Sequence, residues 1–363
     1  MKIVACHVAL LRVPLRTPFR TALREVDSVA DVVVTLQADD GRLGYGEAPP
    51  TAAITGETLG SITAAITQHI APRVIGEDAA DLNRVVGLIQ TSMVGNHSAK
   101  AAVDIALHDL WAQHHGAPLY RLLGGGCAQL TTNLTISVNA IDTMVDDALD
   151  ALARGYTALK IKIGKDTDDD VARVRAIHAA VGDRAVLRLD ANQGWTAKQA
   201  VRAIRRLEDA GVPMDLVEQP VKASDLDGLG YVTRHVATPI MADESAFGPH
   251  EVLDVIRRGA ADIINIKLMK AGGIAHALRI ADIAGMHGVP CMMGCMLESS
   301  VSVAAAAHVA AARSQVITRV DLDGPSLCAF DPVDGGVHFD ESRIALPDTP
   351  GLGIRAIRGL EPF

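Results

Sequence analysis

The sequence predicts an α/β protein in which a (β/α)8 TIM-type barrel follows an N-terminal α+β module. After Gly124-Gly125-Gly126, short β-branched runs alternate with alanine-rich helical segments, a pattern typical of βαβ units and a parallel sheet. Polar residues end these runs at intervals of 24 to 28 positions, from Lys162 to Asp321. Eight such units occupy roughly 215 residues, which is close to the size of this barrel. An open doubly wound sheet is the alternative, but the sequence lacks the glycine-rich phosphate turn that normally follows its first strand.

The first part of the chain has a different pattern. Apolar and polar residues alternate there, and Asp40-Gly41 lies between two β-rich runs, which predicts a hairpin. Helical periodicity then takes over, and its clearest segment begins at Ser98, a candidate N-cap. We therefore expect an α+β domain followed by the barrel domain. The expected boundaries are residues 1–125 and 126–349.

Composition excludes several classes of protein. The chain has 43 acidic and 34 basic residues, a net charge of -9, and few aromatic residues, so a nucleic-acid partner is not expected. Its five cysteines form no C-x-x-C pair and suit a reducing cytoplasm. The longest apolar stretch, residues 301–312, is too short to span a membrane. The first residues predict a strand rather than a signal peptide, so we expect a cytoplasmic protein.

Two lysines share one face of the second predicted barrel strand. Side chains alternate along TALKIKIG, so Lys160 and Lys162 lie opposite Leu159 and Ile161. In a barrel the lysines point inward near the mouth, where burial and mutual repulsion lower the pKa of an ammonium group. The alternative is a pair of solvent-exposed lysines on an edge strand.

Three successive predicted strands each end in a carboxylate. The alternation in VLRLDAN, DLVEQP and PIMADES turns Asp190, Glu218 and Asp243 inward, with Asn192 on the face of Asp190. Taken singly, each carboxylate could instead cap the following helix. Three inward carboxylates repel one another unless a cation neutralises them. An all-oxygen set without His or Cys favours Mg²⁺ or Mn²⁺ over Zn²⁺.

The next predicted strand, in DIINIKLMKAGG, turns Asn265 and Lys267 inward. Lys267 then stands across the barrel from Lys162. Two opposed amines with a metal between them can remove and return a proton on opposite faces of one carbon, which inverts a stereocentre. The alternative is that Lys267 only pairs with Glu218 or Asp243.

Together these residues resemble the enolase superfamily, and within it the muconate-lactonizing-enzyme-like subgroup, over nearly the whole chain. The lysines and carboxylates match that subgroup in kind, order and spacing. The resemblance implies that the N-terminal module is a capping domain. Its loops near residues 17–25 and 50–57 would close over the barrel mouth, and residues 350–363 would return to it.

The same resemblance implies a role for each matching residue. Mg²⁺ would be held by Asp190, Glu218 and Asp243, with Asn192 and Asn265 beside these ligands. The metal would bind the substrate carboxylate and stabilise an enediolate. Lys162 and Lys267 would form the acid/base pair, and Lys160 would lower the pKa of Lys162.

An acidic pair marks the eighth predicted strand. ITRVDLDGP places Asp321 and Asp323 on one inward face, which would attract an ammonium group. The alternative is a D-G turn that closes the barrel. The pair resembles the signature of dipeptide epimerases, in which it holds the α-ammonium group of the substrate. This resemblance implies inversion of the C-terminal residue of a dipeptide by a two-base 1,1-proton transfer.

Side-chain specificity depends on fewer residues. PFRTALREVDS resembles the corresponding segment of Ala-Glu epimerases, and Arg24 would pair with the second carboxylate of the substrate, although Arg20 could compete for that role. Glu298 near the pocket would instead favour cationic or neutral dipeptides. The other expected substrate-binding residues are Thr135, Cys295 and Met296.

The sequence thus predicts a Mg²⁺-dependent isomerase that epimerises L-Ala-D/L-Glu or a similar dipeptide. One alternative is an epimerase of cationic or hydrophobic dipeptides. Another is an N-acyl amino acid racemase or a further enzyme of the same subgroup. A third is a non-catalytic dipeptide-binding protein on the same scaffold. The family resemblance also implies a homo-oligomer.

Overall fold

The computed structural model describes residues 1–20 and 25–363. The strands are β1 (Ile3–Arg20), β2 (Glu25–Ala38), β3 (Leu43–Ala48), β4 (Gln129–Thr131), β5 (Leu134–Ile136), β6 (Ala158–Lys162), β7 (Val186–Asp190), β8 (Met214–Glu218), β9 (Ile240–Ala242), β10 (Ile263–Lys267), β11 (Cys291–Gly294), β12 (Ile317–Asp321), β13 (Val333–Gly335), β14 (His338–Asp340), β15 (Arg343–Ala345), β16 (Ile354–Ile357) and β17 (Leu360–Pro362).

The α-helices are α1 (Leu59–Ala64), α2 (Ala71–Val74), α3 (Leu82–Gln90), α4 (His97–His114), α5 (Leu119–Leu122), α6 (Ile141–Ala153), α7 (Thr167–Val181), α8 (Ala197–Asp209), α9 (Leu226–His235), α10 (Pro249–Arg258), α11 (Leu268–Ala271), α12 (Ile274–Met286), α13 (Ser300–Ala312) and α14 (Gly324–Leu327). A π-helical turn, Ala65–Ile70, joins α1 to α2, and a 3₁₀ turn, Gly182–Arg184, follows α7.

An antiparallel sheet forms the base of the N-terminal domain, with strand order β17-β1-β2-β3. The expected hairpin joins β2 to β3, and Gly41 in its turn has a φ of 88°, which glycine adopts at low cost. The last strand of the chain returns to this sheet, where Pro362 lies opposite Ala9. Helices α1 to α4 cover the sheet and bury an apolar core between the two layers.

The start of α4 differs from the sequence prediction. The helix begins at His97, after Asn96 in a left-handed conformation, so Ser98 lies inside the first turn and is not the N-cap. The side chain of Glu57 accepts hydrogen bonds from the N–H groups of Ser98 (3.0 Å) and Ala99 (3.2 Å). A distant carboxylate therefore satisfies the helix start in place of a local cap.

Eight parallel strands form the barrel, in the order β12-β11-β10-β9-β8-β7-β6-β5, as the sequence predicted. Outward side chains such as Leu159 and Ile161 are buried in the large core shared with the surrounding helices. The inward side chains are polar at the carboxyl ends of the strands, whereas Leu216, Met241, Ile263 and Met292 form a small apolar cluster. The carboxyl ends of β6 to β10, which carry the predicted carboxylates and lysines, therefore lie at one end of the barrel.

Short strands after the barrel complete the fold: β13 pairs with β16, and β14 and β15 pair with β4. In the described part of the chain, none of the helices combines the length and the apolar character needed to cross a membrane.

Candidate active site

Neighbouring barrel strands bring the predicted site residues into register. Lys162, Asp190 and Glu218 are successive partners across β6, β7 and β8, at the carboxyl end of each strand. Asp243 directly follows β9, and Lys267 ends β10. The period-2 alternation turns these side chains inward, and their positions at the carboxyl ends of parallel strands place all five at the same end of the barrel.

Lys160 lies in the middle of this group and is almost fully buried. Its Nζ is 3.1 Å from Asp190, 2.7 Å from Glu218 and 2.8 Å from Asp321. Burial alone would lower the pKa of Lys160, but these carboxylates raise it well above its usual value. The expected depression of the pKa is therefore wrong for Lys160, because the attraction of the acids exceeds both burial and repulsion.

The two lysines of the predicted acid/base pair occupy opposite sides of the barrel. β6 is the second and β10 the sixth of the eight strands, and each lysine contacts one of the carboxylates. Lys162 Nζ is 2.6 Å from Asp190, and Lys267 Nζ is 2.7 Å from Asp243. Burial lowers the pKa of Lys267, but the charge of Asp243 outweighs burial and raises it. The ion pair between Lys267 and Asp243, which was the alternative to a catalytic role, is thus present. Lys267 also lines the cavity described below.

The buried oxygen atoms around these lysines fit a hard divalent cation. Among the described residues, the buried oxygens without a hydrogen-bond donor include atoms of Asn192, Glu244 and Asn265, beside the predicted ligands. Burial and the charge of Asp190 raise the pKa of Glu218 to about 8, so its ionised form is destabilised and a nearby cation would favour it. Oxygen ligands in excess of hydrogen-bond donors are the set that Mg²⁺ prefers.

The ligands of such a cation are not grouped around one point. Within residues 1–20 and 25–363, no set of three or more His, Cys, Asp or Glu side chains is arranged to hold a metal ion. Lysine ammonium groups contact the candidate carboxylates instead: Lys160 contacts Asp190 and Glu218, and Lys267 contacts Asp243. A cation at this position would compete with the lysines for the same oxygen atoms.

The acidic pair at the end of β12 faces the first strand. Asp321 Oδ2 accepts from Lys160 Nζ, and Asp323 Oδ2 accepts from the Thr135 N–H at 2.6 Å. Burial alone would raise the pKa of Asp321, but Lys160 lowers it, so this carboxylate is ionised. Burial and the charge of Asp321 raise the pKa of Asp323 to about 6. An ammonium group placed between them would stabilise both negative charges.

A cavity at the mouth of the barrel joins these groups to the N-terminal domain. Phe19 from β1 and Ala53 and Ile54 from the segment after β3 line it, and these three residues belong to the two predicted cap loops. Residues 21–24 of the first loop lie outside the described residues. The predicted residues on its wall are Thr135, Lys160, Lys162, Asn192, Lys267, Cys295, Met296, Asp321 and Asp323. The cavity therefore presents two amines from opposite sides of the barrel and two carboxylates from β12 and the residues after it.

Comparison with known proteins agrees with this geometry. Residues 4–124 match the N-terminal domain family of mandelate racemase and muconate lactonizing enzyme, and residues 143–358 match the enolase C-terminal domain-like family. The L-Ala-D/L-Glu epimerase of Clostridium acetobutylicum is 51% identical over 347 residues, which cover 96% of this chain and 97% of that protein. The chain belongs to the enolase superfamily.

Two solved structures of superfamily members resemble the whole chain. The substrate-liganded L-Ala-D/L-Glu epimerase from Bacillus subtilis has a TM-score of 0.97 and 47% identity, covering 99% of this chain and 100% of that chain. The dipeptide epimerase from Enterococcus faecalis, complexed with Mg and the dipeptide L-Leu-L-Tyr, has a TM-score of 0.94 and 42% identity. That alignment covers 98% of this chain and 99% of that chain.

The specificity residues of this superfamily member are not all brought together. Arg24 lies outside the described residues. Arg20, its competitor in the sequence, pairs with Glu25 at 2.9 Å. Glu298 is 2% exposed and is not on the cavity wall, because its carboxylate accepts from the Met296 N–H and contacts the Ser302 hydroxyl.

Cys295 and Met296 both line the cavity. Burial and the charge of Glu298 raise the pKa of the Cys295 thiol well above its usual value. A protonated thiol of this kind is not a nucleophile at neutral pH. We assign both side chains to shaping the cavity.

Sequence reasoning missed two residues beside the predicted ligands. Lys270 is fully buried, and its Nζ donates to the backbone carbonyls of Asp243, Ala246 and Asn265 at 2.5, 3.2 and 2.9 Å. No sequence pattern marks backbone carbonyls as targets. The other residue is Glu244, whose position directly after Asp243 could have drawn attention to it.

Proposed function

We propose that this protein is a Mg²⁺-dependent dipeptide epimerase that inverts the α-carbon of the C-terminal residue, with L-Ala-D/L-Glu as its substrate. The observation that carries the proposal is one cavity lined by Lys162 and Lys267 from opposite sides of the barrel and by the acidic pair Asp321 and Asp323. Such a cavity matches a substrate that has an acidic α-proton between two bases and an ammonium group beyond it.

The protein's own side chains account for most steps. Asp321 and Asp323 bind the α-ammonium group, which fixes the peptide along the cavity. One of the two lysines, in its neutral form, removes the α-proton, and the other donates a proton to the opposite face. Lys160 remains an ammonium group held by three carboxylates, so it adds fixed positive charge beside Lys162.

Asp190, Glu218 and Asp243 would hold the metal. When bound, Mg²⁺ would offset the negative charge that develops on the substrate carboxylate as the α-proton leaves. This assignment is supported by the three buried carboxylates at the ends of neighbouring strands and by the Mg in the related Enterococcus faecalis structure. Mn²⁺ has the same ligand preference and is the second candidate.

The glutamyl preference is supported by Arg24 in the sequence and by the name of the Clostridium acetobutylicum relative. Hydrophobic or cationic dipeptides are the alternative, and an N-acyl amino acid racemase is a further one. The two buried carboxylates Asp321 and Asp323 disfavour the racemase, since an acylated nitrogen carries no positive charge to offset theirs. The cytoplasmic location and the homo-oligomer remain predictions.

Proton NMR in D₂O tests the reaction. We expect the α-proton signal of the glutamyl residue in L-Ala-L-Glu to disappear with Mg²⁺ and the second diastereomer to accumulate, with neither change in EDTA. L-Ala-L-Leu, L-Ala-L-Lys and N-acetyl-L-Glu serve as comparison substrates. Exchange that is confined to the leucyl or lysyl peptide would refute the glutamyl preference, and exchange in the acetyl compound alone would refute the dipeptide assignment.

Single lysine variants test the two-base assignment. Lys162→Ala and Lys267→Ala should each abolish net epimerisation, because one face of the α-carbon loses its proton donor. Each variant should still exchange the α-proton of one diastereomer, and the two variants should retain opposite diastereomers. The exposed Lys198→Ala is the control and should behave as wild type. Loss of exchange for the same diastereomer in both lysine variants would contradict the assignment.

A further inference from the structure

The seam between the first and last barrel strands is closed by side chains of the acidic pair. The eight-stranded sheet ends at β5 and β12, which share no ladder in the described structure. Asn133 Nδ2 donates to Asp321 Oδ1 at 2.6 Å, and the Thr135 N–H donates to Asp323 Oδ2 at 2.6 Å. The Leu322 N–H donates to the Thr132 hydroxyl at 2.8 Å. Asp321 and Asp323 therefore face the cavity and hold the seam at the same time.

Asn133 is fully buried, and its neighbours determine how its amide is oriented. Arg188 Nη1 lies 2.8 Å from Asn133 Oδ1. A guanidinium only donates hydrogen bonds, so the amide oxygen must face Arg188 and the amide NH₂ must face Asp321. The reversed amide would place its NH₂ against the guanidinium of Arg188 and its oxygen against the carboxylate of Asp321. Both contacts are unfavourable.

Arg188 is itself immobilised at the far end of the barrel interior. Its Nε donates to Asp215 at 3.0 Å, and its Nη1 also donates to the Val320 carbonyl at 3.2 Å. Arg319 holds the same Asp215 carboxylate through Nη2 at 2.7 Å. A chain of hydrogen bonds thus runs from Asp215 through Arg188 and Asn133 to Asp321.

We propose that Asn133, oriented by Arg188, positions the Asp321 carboxylate to receive the α-ammonium group of the substrate and so enforces the requirement for a free amino terminus. This inference rests on the proposed function. Asn133 is a positioning residue, since it acts through Asp321. Its amide fixes one carboxylate oxygen, Lys160 contacts the other, and roughly two of the four acceptor sites of the carboxylate remain for the substrate.

A neutral donor suits this position better than a charged one would. A lysine or arginine in place of Asn133 would also orient Asp321, but it would compensate the negative charge that attracts the ammonium group. An amide supplies the orientation and adds no second positive charge to that of Lys160, which already contacts the other oxygen of Asp321.

The experiment compares two substrates in matched variants of the full-length, Mg²⁺-loaded enzyme. The substrates are L-Ala-L-Glu and propionyl-L-Glu, which differ only in the α-ammonium group. The measured quantity is the kcat/KM for α-proton exchange in L-Ala-L-Glu divided by the kcat/KM for propionyl-L-Glu. We expect Asn133→Ala to lower this ratio about 10-fold or more, mainly through the KM of the dipeptide, since a hydrogen bond to a charged group is lost.

Thr132→Val is the matched control. It removes the hydrogen bond from Leu322 across the same seam and leaves Asp321 and Asp323 untouched. We expect it to lower thermal stability to a similar degree and to keep the wild-type ratio. A wild-type ratio in Asn133→Ala, or an equal fall in Thr132→Val, would overturn the proposal and leave Asn133 with a purely structural role.

Arg188→Met gives a second test that does not alter Asn133. The variant frees the amide of Asn133 to turn, so the ratio should fall in the same direction as in Asn133→Ala, and an unchanged ratio would overturn the proposal. Failure of the proposed function is distinguishable, because it would show in the wild type as no preference for L-Ala-L-Glu over propionyl-L-Glu.

Discussion

Two buried carboxylates share one hydroxyl group beside the cavity. Ser302 Oγ is 2.9 Å from Glu47 Oε2 and also contacts Glu298 Oε2. A hydroxyl has one proton to donate, so one of the two acids must be protonated when both contacts exist. Burial, followed by the charge of Glu47, raises the pKa of Glu298 to about 7, so Glu298 holds a proton more readily than an ordinary carboxyl group does. Glu298 also accepts a hydrogen bond from the N–H of Met296, which lines the cavity.

The pH dependence of stability follows from this raised pKa. Native Glu298 keeps a proton that the unfolded chain loses above pH 4.5, so its contribution to stability falls as pH rises from about 4.5 to about 7 and then stays constant. Glu298→Gln imitates the protonated form of this side chain. The fall in the free energy of unfolding between pH 5 and pH 8 should therefore be about 1–3 kcal/mol smaller in the variant. Urea unfolding of both proteins from pH 5 to 8 measures the difference. Parallel curves for the two proteins would show that Glu298 does not titrate in this range.

At the scale of elements, the packing of β3 against α4 fixes the N-terminal domain. Gly44 and Gly46 face the helix so closely that a Cβ at Gly46 would lie 1.9 Å from the carbonyl oxygen of Ala102. Contact this close requires glycine, because any side chain would push the helix backbone away. The next residue after Gly46 is Glu47, so this packing also sets the position of the buried acid.

Gly46→Ala should therefore lower the midpoint of urea unfolding, with a loss of about 1–3 kcal/mol or more from overpacking. Gly87→Ala in α3 is the control, because a Cβ there meets no atom within 4 Å. Alanine in a helix interior should stabilise the protein by about 0.5–1 kcal/mol. A shift of both midpoints in the same direction would contradict the packing argument.

At the scale of the whole molecule, the catalytic cavity lies between two domains. The barrel supplies the charged groups, and Phe19, Ala53 and Ile54 of the N-terminal domain cover them. Lys162 Nζ lies 6.0 Å from the centre of the Phe19 ring, so the cap contacts a group of the proposed acid/base pair directly. Exclusion of water by this roof strengthens the electrostatic interactions below it.

Metal binding should stabilise the molecule as a whole. The proposed ligands Asp190, Glu218 and Asp243 are adjacent only in the folded barrel, so Mg²⁺ binds the native state alone. At a concentration one hundred times its Kd, this contributes about 2.7 kcal/mol. We expect a higher Tm in Mg²⁺ than in EDTA, measured by differential scanning calorimetry, and no difference for Asp190→Asn. An equal rise in the variant would place the metal elsewhere.

The period of the side chains explains why much of the site could be predicted from the sequence. A strand alternates between two faces whatever surrounds it, so the inward positions of Lys162, Asp190, Glu218 and Lys267 follow from their neighbours in the chain. The repeated interval between strand ends likewise predicts the barrel, and the barrel brings those ends together. The fold class and the group of inward acids and lysines were therefore determined by the sequence alone.

Contacts between distant segments were decided by the tertiary structure. Glu57 satisfies the start of α4, and Asn133 meets Asp321 although 188 positions separate them. Glu298 turns away from the cavity because Ser302 contacts it, and Lys160 has a raised pKa because three acids surround it. No local pattern encodes these effects, since each depends on the distance between charges and hydrogen-bonding groups that only the folded chain brings together.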